Sequence, residues 1–326
     1  MKEQKLSNEI ITWYIDKYIK SKECNIEGYN VMMTNFNIKK YEKLHRVSTI
    51  EFLQIHLNKE EFIEYVNKLD NDKLTYLLFN QNQIVGVCFL SENISEYRGK
   101  TLDIDIKMED EFQNYDNFYS LFSEIDSFIR DNKIAFIITS VLSTQLELKD
   151  FLHNDNYSQW FSLRKMIHDG RILPNHELIY RHYEENDFDR YFSGLGEAFA
   201  PMRTAMDIPP YNVCTSASKE LIIKKRDSFL KDSQQMYLFF DLDIYIGAVT
   251  ISGSEIDDFY VVNGLQGKGY GKKIIEFSIN LIKQKSHEPV LLSVVDWNEK
   301  AKKLYQSVGF NTLEIKIVYR KTINWE

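Results

Sequence analysis

One order of strand-like and helix-like stretches runs through this chain twice, and that repetition constrains its fold more than any other feature. In the second half, hydrophobic periods of 2 and 3.6 and their glycine and proline breakers mark strands at Glu177–Tyr183, Gln235–Asp241, Ile244–Ile251 and Glu255–Val262. Helices are expected over roughly 186–198 and 216–231, the second capped by Ser216 or Ser218, with Pro201, Pro209 and Pro210 in the loop between them. A further helix opens near Gly269, a strand covers Pro289–Val295, a short helix begins after Trp297, and Phe310–Arg320 is extended. The first half repeats this order. Its strands fall at Lys73–Phe79, Ile84–Leu90 and Thr101–Lys107, followed by a helix over 117–131, a strand at Lys133–Ser140, a helix over 144–154 and extended structure at Tyr157–Ile167.

A length of 326 residues leaves room for about two domains. Turn residues cluster at His168–Asp169–Gly170–Arg171 and on through Pro174, where the junction is expected. The expectation is an amphipathic helical extension over 1–28, a first domain over 29–172 and a second over 173–326. The fold class is expected to be α+β, each domain a mostly antiparallel twisted sheet flanked by helices.

The stretch richest in chemistry is Val261–Val262–Asn263–Gly264–Leu265–Gln266–Gly267–Lys268–Gly269–Tyr270–Gly271–Lys272, between a strand and a helix. Alternate glycines remove the β-carbons that would keep a phosphate from the backbone, and consecutive amides at the positive end of a helix bind the anion. A dinucleotide fold places its glycine loop after the first strand of its domain, and this loop comes after several. A P-loop needs a serine or threonine after Gly-Lys, and Gly267–Lys268–Gly269 lacks it.

Gln266–Gly267–Lys268–Gly269–Tyr270–Gly271 resembles the Gln/Arg-x-x-Gly-x-Gly/Ala loop of the GNAT acetyltransferases, and Asn298 through Phe310 resembles a second signature of that superfamily. The resemblance implies two tandem GNAT-like domains and an N-acetyltransferase that uses acetyl-CoA as cosubstrate, without a metal. It implies that the backbone of Val261 and Val262 pairs with the pantetheine arm where the fourth strand splays from the fifth. It gives the pyrophosphate to the amides of Gln266, Gly267, Lys268, Gly269, Tyr270, Gly271 and Lys272, and a pantetheine contact to Asn298. Tyr305 would act as general acid for the leaving thiolate. A helix-face aromatic packed in the core is the alternative for Tyr305.

An amine must lose its proton before it attacks, so a carboxylate or a water chain is wanted nearby. Glu255, Asp257 and Asp258 are the candidates, and strand alternation puts Glu255 and Asp257 on one face and Asp258 on the other. Glu255 lies eleven residues before Gln266, where the histone-acetyltransferase branch carries its catalytic glutamate, and that resemblance favours it. Solvated acids at a strand end are the alternative.

Aligned on the repeat, Glu111–Phe112–Gln113–Asn114–Tyr115–Asp116 stands where the second half has Gln266 to Gly271, and every glycine is gone. Leu152 falls at the position of Tyr305, Gln145 at that of Asn298, and Asn156 replaces Gly309 while still tolerating left-handed backbone. The first half is therefore expected to keep the fold and lose cofactor binding.

A net charge of −8 argues against nucleic acid as a partner, since such binders need a basic surface. Cys24, Cys88 and Cys214 have no metal-ligand or disulfide spacing. Neither a signal peptide nor a membrane span is evident, so a cytoplasmic location is expected. The partner is an amine, small molecule or peptide, and the chain would act as a monomer holding two domains or as a homodimer. Its acceptor is to be read from Ala200 to Tyr211, where Met202, Met206 and Tyr211 suit an apolar wall and Arg203 a carboxylate. A non-catalytic acyl-CoA sensor and a protein-binding scaffold are the alternatives.

Overall fold

A computed structural model describes residues 36–57, 59–70 and 74–325, so the helix expected over 1–28 lies outside the described residues. The chain divides into two compact units that do not follow chain order: one ends at Phe161 and resumes at Lys316, and the other is Ser162–Ile315. Among the described residues no helix is long and apolar enough to cross a membrane.

The amino-terminal unit contains β1 (Phe36–Lys40), α1 (Arg46–His56), α2 (Lys59–Asp70), β2 (Thr75–Asn80), β3 (Gln83–Ser95), β4 (Gly99–Met108), α3 (Tyr115–Asp131), β5 (Phe136–Leu142) and α4 (Leu146–Asn154). β1 to β4 form an antiparallel run, and β5 lies parallel to β4. Alternation sends Leu77 and Phe79 of β2 to the face covered by α1 and α2, and Tyr76 and Leu78 to the face covered by α3 and α4. The far edge of β5 is completed by the last strand of the chain, β12 (Phe310–Thr322), with Lys316 opposite Leu142 and Thr322 opposite Phe136.

The carboxy-terminal unit repeats the plan with β7 (Ile179–His182), α5 (Phe188–Ala205), α6 (Lys219–Lys231), β8 (Met236–Asp241), β9 (Ile244–Ser252), β10 (Glu255–Val261), α7 (Tyr270–Lys285), β11 (Leu291–Val295) and α8 (Glu299–Ser307). Its neighbour to β11 is β6 (Ser158–His168), the strand that closes the first half of the sequence, with Ile167 opposite Leu291 and Leu163 opposite Val295. Each half thus supplies its last strand to the other unit. Tyr237 and Phe239 of β8 join the core under α7 and α8, while Met236 and Leu238 join the core under α5 and α6. Pro201, expected in a loop, lies inside α5, which runs on to Ala205. Its last turn is anchored by Arg203, whose Nε donates to the Pro210 carbonyl at 2.7 Å. Ser218 caps α6 as expected, accepting from the Leu221 amide at 3.2 Å.

Three residues on one side of α7 hold the segment before β7. Glu276, buried on that helix, meets His176 Nε2 at 2.5 Å. Asn280 donates to the Pro174 carbonyl at 3.2 Å, and Lys283 to the Gly170 carbonyl at 2.7 Å. Burial lowers the His168 imidazole to about 4, so it is neutral at pH 7. Its Nδ1 accepts from the Gly170 amide at 3.1 Å, which leaves Nε2–H to donate to the Val308 carbonyl at 3.0 Å.

Candidate active site

The site is built around an irregularity in β10. Against β9, Asp257 pairs with Thr250 and Tyr260 with Ala248, so three steps on β10 match two on its neighbour. One extra residue is accommodated in a β-bulge, and Asp258 takes the left-handed conformation there, with φ +43°. Strand alternation therefore breaks after Asp257. On its other side β10 pairs in parallel with β11 only at Glu255 and Ile256. Beyond the bulge the two strands part, and the β11-facing edge of β10 from Asp257 to Val261 is left without strand pairing. Gly247 makes the bulge possible, because a β-carbon there would stand 2.3 Å from the Tyr260 carbonyl oxygen.

The glycine loop follows at the end of β10. Gly264, Gly267 and Gly269 have φ of +80°, +79° and +89°, and nothing lies within 4 Å of the point where a β-carbon of any of them would stand. The amides of Gly269, Tyr270, Gly271 and Lys272 donate to no group among the described residues, and a hydrogen-bonded turn over 263–267 leads into them. Gly269 caps α7 without a side chain, so the first turn of that helix points bare N–H groups outward. Gln266 braces the loop, donating to the Val261 carbonyl at 3.3 Å and accepting from Lys300 of α8 at 3.0 Å. Val262 donates to the Ile246 carbonyl at 3.0 Å. The Tyr270 hydroxyl ties the start of α7 to Asp241. Lys268 and Lys272 are exposed beside the loop, and Gly271 packs under Leu304 and Phe259. An open cradle of unengaged amides with lysines at its rim fits a diphosphate in size and charge.

Tyr305 projects from α8 toward β10, its ring 6.5 Å from that of Phe259, next to the bulged Asp258. It is 8% exposed, and its hydroxyl makes no hydrogen bond among the described residues. Burial raises its pKa, which keeps the phenol protonated. Asn298 is the N-cap of α8, accepting from the Ala301 amide at 3.1 Å.

The three acids on β10 occupy different settings. Glu255 sits where β10 and β11 are still paired and accepts from Ser293 at 3.5 Å. Asp257 is exposed and accepts from the Asp258 amide at 2.8 Å. Asp258 is half-buried, and its carboxyl has no hydrogen-bond or ion-pair partner among the described residues. Burial first, and the nearby Asp257 second, push it up to about 6, against the opposing effect of Lys225 on α6. A doublet of aspartates inside an otherwise apolar strand was the sequence signal for the bulge, because acids are poor strand formers.

Arg203 does not await a carboxylate, since its guanidinium is engaged by the Pro210 and Pro209 carbonyls at 2.7 and 3.3 Å. Met206 is buried, and the Tyr211 hydroxyl donates to Asp207 at 2.9 Å. Among the described residues no group of three or more His, Cys, Asp and Glu could hold a metal. Cys88 is buried and free, and Cys214 is also free.

A family model described as an acetyltransferase (GNAT) domain matches residues 217–325. The chain has the GNAT acetyltransferase fold. A GCN5-related N-acetyltransferase from Sphaerobacter thermophilus superposes with a TM-score of 0.68 at 13% identity, over 89% of this chain and 96% of that one. A GNAT-family acetyltransferase from Colwellia psychrerythraea gives 0.52 at 11% identity, over 88% and 100%. A tandem GNAT protein from the clavulanic acid biosynthesis pathway gives 0.56 at 8% identity, over 89% and 98%. At such identities these likenesses show the fold alone. No curated protein matches the chain.

The amino-terminal unit holds a corresponding strand–loop–helix corner, between β4 and α3, in a different state. β4 pairs with β3 without a shift from Gly99 to Met108, and stays beside β5 from Thr101 to Ile104. Asn114 accepts from the Asn117 amide at 3.0 Å, closing the end of α3 with its own side chain. The amides of Phe112, Gln113 and Asn114 donate to the carbonyls of Glu109, Asp110 and Phe112. Leu152 is fully buried at the position of Tyr305, and Gln145 stands at the start of α4 as Asn298 does at α8. Asn156 has φ +61°, left-handed like Gly309 at +108°.

Proposed function

We propose that the chain is an N-acyltransferase that moves an acetyl group from acetyl-CoA to an amine in a ternary complex, with the chemistry in the carboxy-terminal unit. The observation that carries this reading is the set of unengaged amides from Gly269 to Lys272, opening onto free space where β10 has parted from β11. In this reading those amides hold the diphosphate, the free edge of β10 at Val261 and Val262 takes the pantetheine arm, and Asn298 lies along it. When bound, acetyl-CoA supplies an activated acyl carbon and a thiolate leaving group.

Asp258 accepts the proton of the incoming ammonium. Its position supports this role better than that of Glu255, which lies about 20 Å back along the strand from Val261 against about 10 Å for Asp258. A carboxyl at about 6 is ionised at pH 7 yet basic enough to take a proton. The amine nitrogen attacks the acyl carbon, the carbon–sulfur bond breaks, the sulfur receives a proton from Tyr305, and the second proton that nitrogen sheds on becoming an amide restores the phenol. Neutral and without a competing partner, that phenol is poised to donate. The amino-terminal unit acts in this reading as a degenerate copy that keeps the fold without the chemistry. Calorimetry with CoA, followed by thiol release from acetyl-CoA across an amine panel, tests the assignment. Amine-dependent release is expected. Binding with no such release would make the chain an acyl-CoA sensor, and no binding would remove the reading altogether.

A further inference from the structure

The Tyr305 hydroxyl makes no hydrogen bond among the described residues, so its aim depends on the end of α8 and on the rings beside it. His168, the last residue of β6, holds both. Its Nε2–H donates to the Val308 carbonyl at 3.0 Å, and the Val308 amide donates in turn to the Tyr305 carbonyl at 3.2 Å. The His168 ring also meets Phe310 edge-on at 5.3 Å, and Phe310 meets the Tyr305 ring edge-on at 6.1 Å. Backbone carries one route from the imidazole to the phenol, and packed rings carry another.

The imidazole is itself fixed. His168 is 1% exposed, and because the Gly170 amide donates to its Nδ1, a single tautomer serves both bonds. The next residues reinforce the grip. The Asp169 amide donates to the Gly309 carbonyl at 2.9 Å, and the Asp169 and Arg171 side chains lie 2.8 and 2.7 Å from where a Gly309 β-carbon would stand. Burying a polar side chain is costly unless it is bonded, and an aliphatic one packs a strand end without that cost. The amino-terminal unit uses the aliphatic one. His168 donates its amide to Val290, the residue before β11, and Ile323 donates its amide to Ala135, the residue before β5, each at 2.9 Å. Isoleucine has no side-chain donor, and that unit carries Leu152 at the position of Tyr305. The buried donor and the phenol are present together in one unit and absent together from the other.

Resting on the acyltransfer reading, we propose that His168 is a positioning residue for the general acid: it fixes the end of α8 and the Phe310 ring so that the Tyr305 hydroxyl faces the departing sulfur. With both ring nitrogens engaged, it exchanges no proton itself. A misplacement of about 1 Å at a reacting group can cost about 100-fold in rate. His168 therefore acts on turnover, while cofactor affinity stays with the amides of Gly269 to Lys272.

His168→Phe keeps a ring against Phe310 and removes both hydrogen bonds, whereas His168→Gln keeps an N–H for the Val308 carbonyl. In thiol release from acetyl-CoA with the amine panel, His168→Phe should lower kcat about tenfold, with CoA affinity by calorimetry within about twofold, and His168→Gln should recover most of the loss. In the Tyr305→Phe background, His168→Phe should change kcat by less than about twofold, because no acid is left to position. Crystals with CoA should show the phenol oxygen at least about 0.5 Å farther from the sulfur in His168→Phe than in wild type. An unchanged kcat, losses that multiply in the double variant, a parallel fall in CoA affinity, or an unmoved phenol would each overturn the positioning role and leave the acid standing. If His168→Phe does not fold, Phe310→Leu interrupts the ring route and meets the same cycle and the same crystals. An inert Tyr305→Phe that still binds CoA, or a wild-type phenol turned away from the sulfur, would instead remove the general-acid reading, and this role with it.

Discussion

The two strand–loop–helix corners of this molecule answer one physical question in opposite ways: what satisfies the amides at the start of a helix? At α3 the chain satisfies them itself, through the Asn114 side chain and a tight turn from Glu109 to Asn114. At α7 a glycine stands in the capping place and the amides are left for something from outside. The strands before them differ in the same sense. β4 is regular and keeps its parallel neighbour for four pairs, while β10 carries an extra residue and leaves its neighbour after two. The α7 corner is thus an unfinished version of the α3 corner, with stability withheld at both the strand edge and the helix end.

Substitutions can push one corner toward the other. Gly269→Glu puts a side chain and a negative charge into the cradle, and calorimetry should show CoA affinity falling more than about 100-fold, the size of several lost charge-assisted bonds. If affinity is unchanged, the amides are not the anion's ligands. Tyr305→Phe should lower kcat about 100-fold with CoA affinity within about twofold, because a general acid acts on the transition state. Equal losses in both would assign Tyr305 to packing, like Leu152.

Asp258→Asn should lower kcat by a smaller factor, about tenfold to 100-fold, and remove the acid limb of the pH–rate profile, whose midpoint is expected near 6. Its stability effect has a definite sign. The folded carboxyl titrates near 6 and the unfolded one near 3.8, so its ionisation destabilises the fold fully above about 6 and not at all below 3.8. The groups acting on it are Asp257 on its own strand and Lys225 on α6, and its own charge raises Tyr191 on α5 and Tyr260 on β10. Asp258→Asn should therefore melt higher than wild type at pH 8 and level with it near pH 3.5. The smallest effect belongs to the other corner. Asn114→Gly should cost only a few tenths of a kcal/mol in denaturant unfolding and confer no CoA binding, since β4 would remain unbulged.

Periodicity and breakers made the order of elements legible from residue 73 onward, because each strand and helix has its own hydrophobic pattern, while β1, α1 and α2 were not anticipated. Ser218 at the start of α6 and left-handed Asn156 were legible for the same local reasons. Partner choice was not. The run 157–167 reads as a strand whichever sheet it enters, so nothing in its composition says that it lies beside β11 while 316–322 lies beside β5. The bulge is marked in the sequence only by the Asp257–Asp258 doublet, which simple alternation reads straight through, and that is why alternation misjudged Asp258. Pro201 reads as a helix breaker locally, yet it sits in a helix whose last turn is held by Arg203 from across the following loop.

The exchange of closing strands has a consequence for how such a gene can change. Truncation after the first half would strip β5 of Lys316–Thr322, and a polypeptide begun at residue 173 would deprive β11 of Leu163–Ile167, each leaving a row of hydrogen-bonding groups bare and prone to aggregate. Either half, whatever it binds, would therefore be retained by selection as donor of a β-ribbon its sibling cannot make.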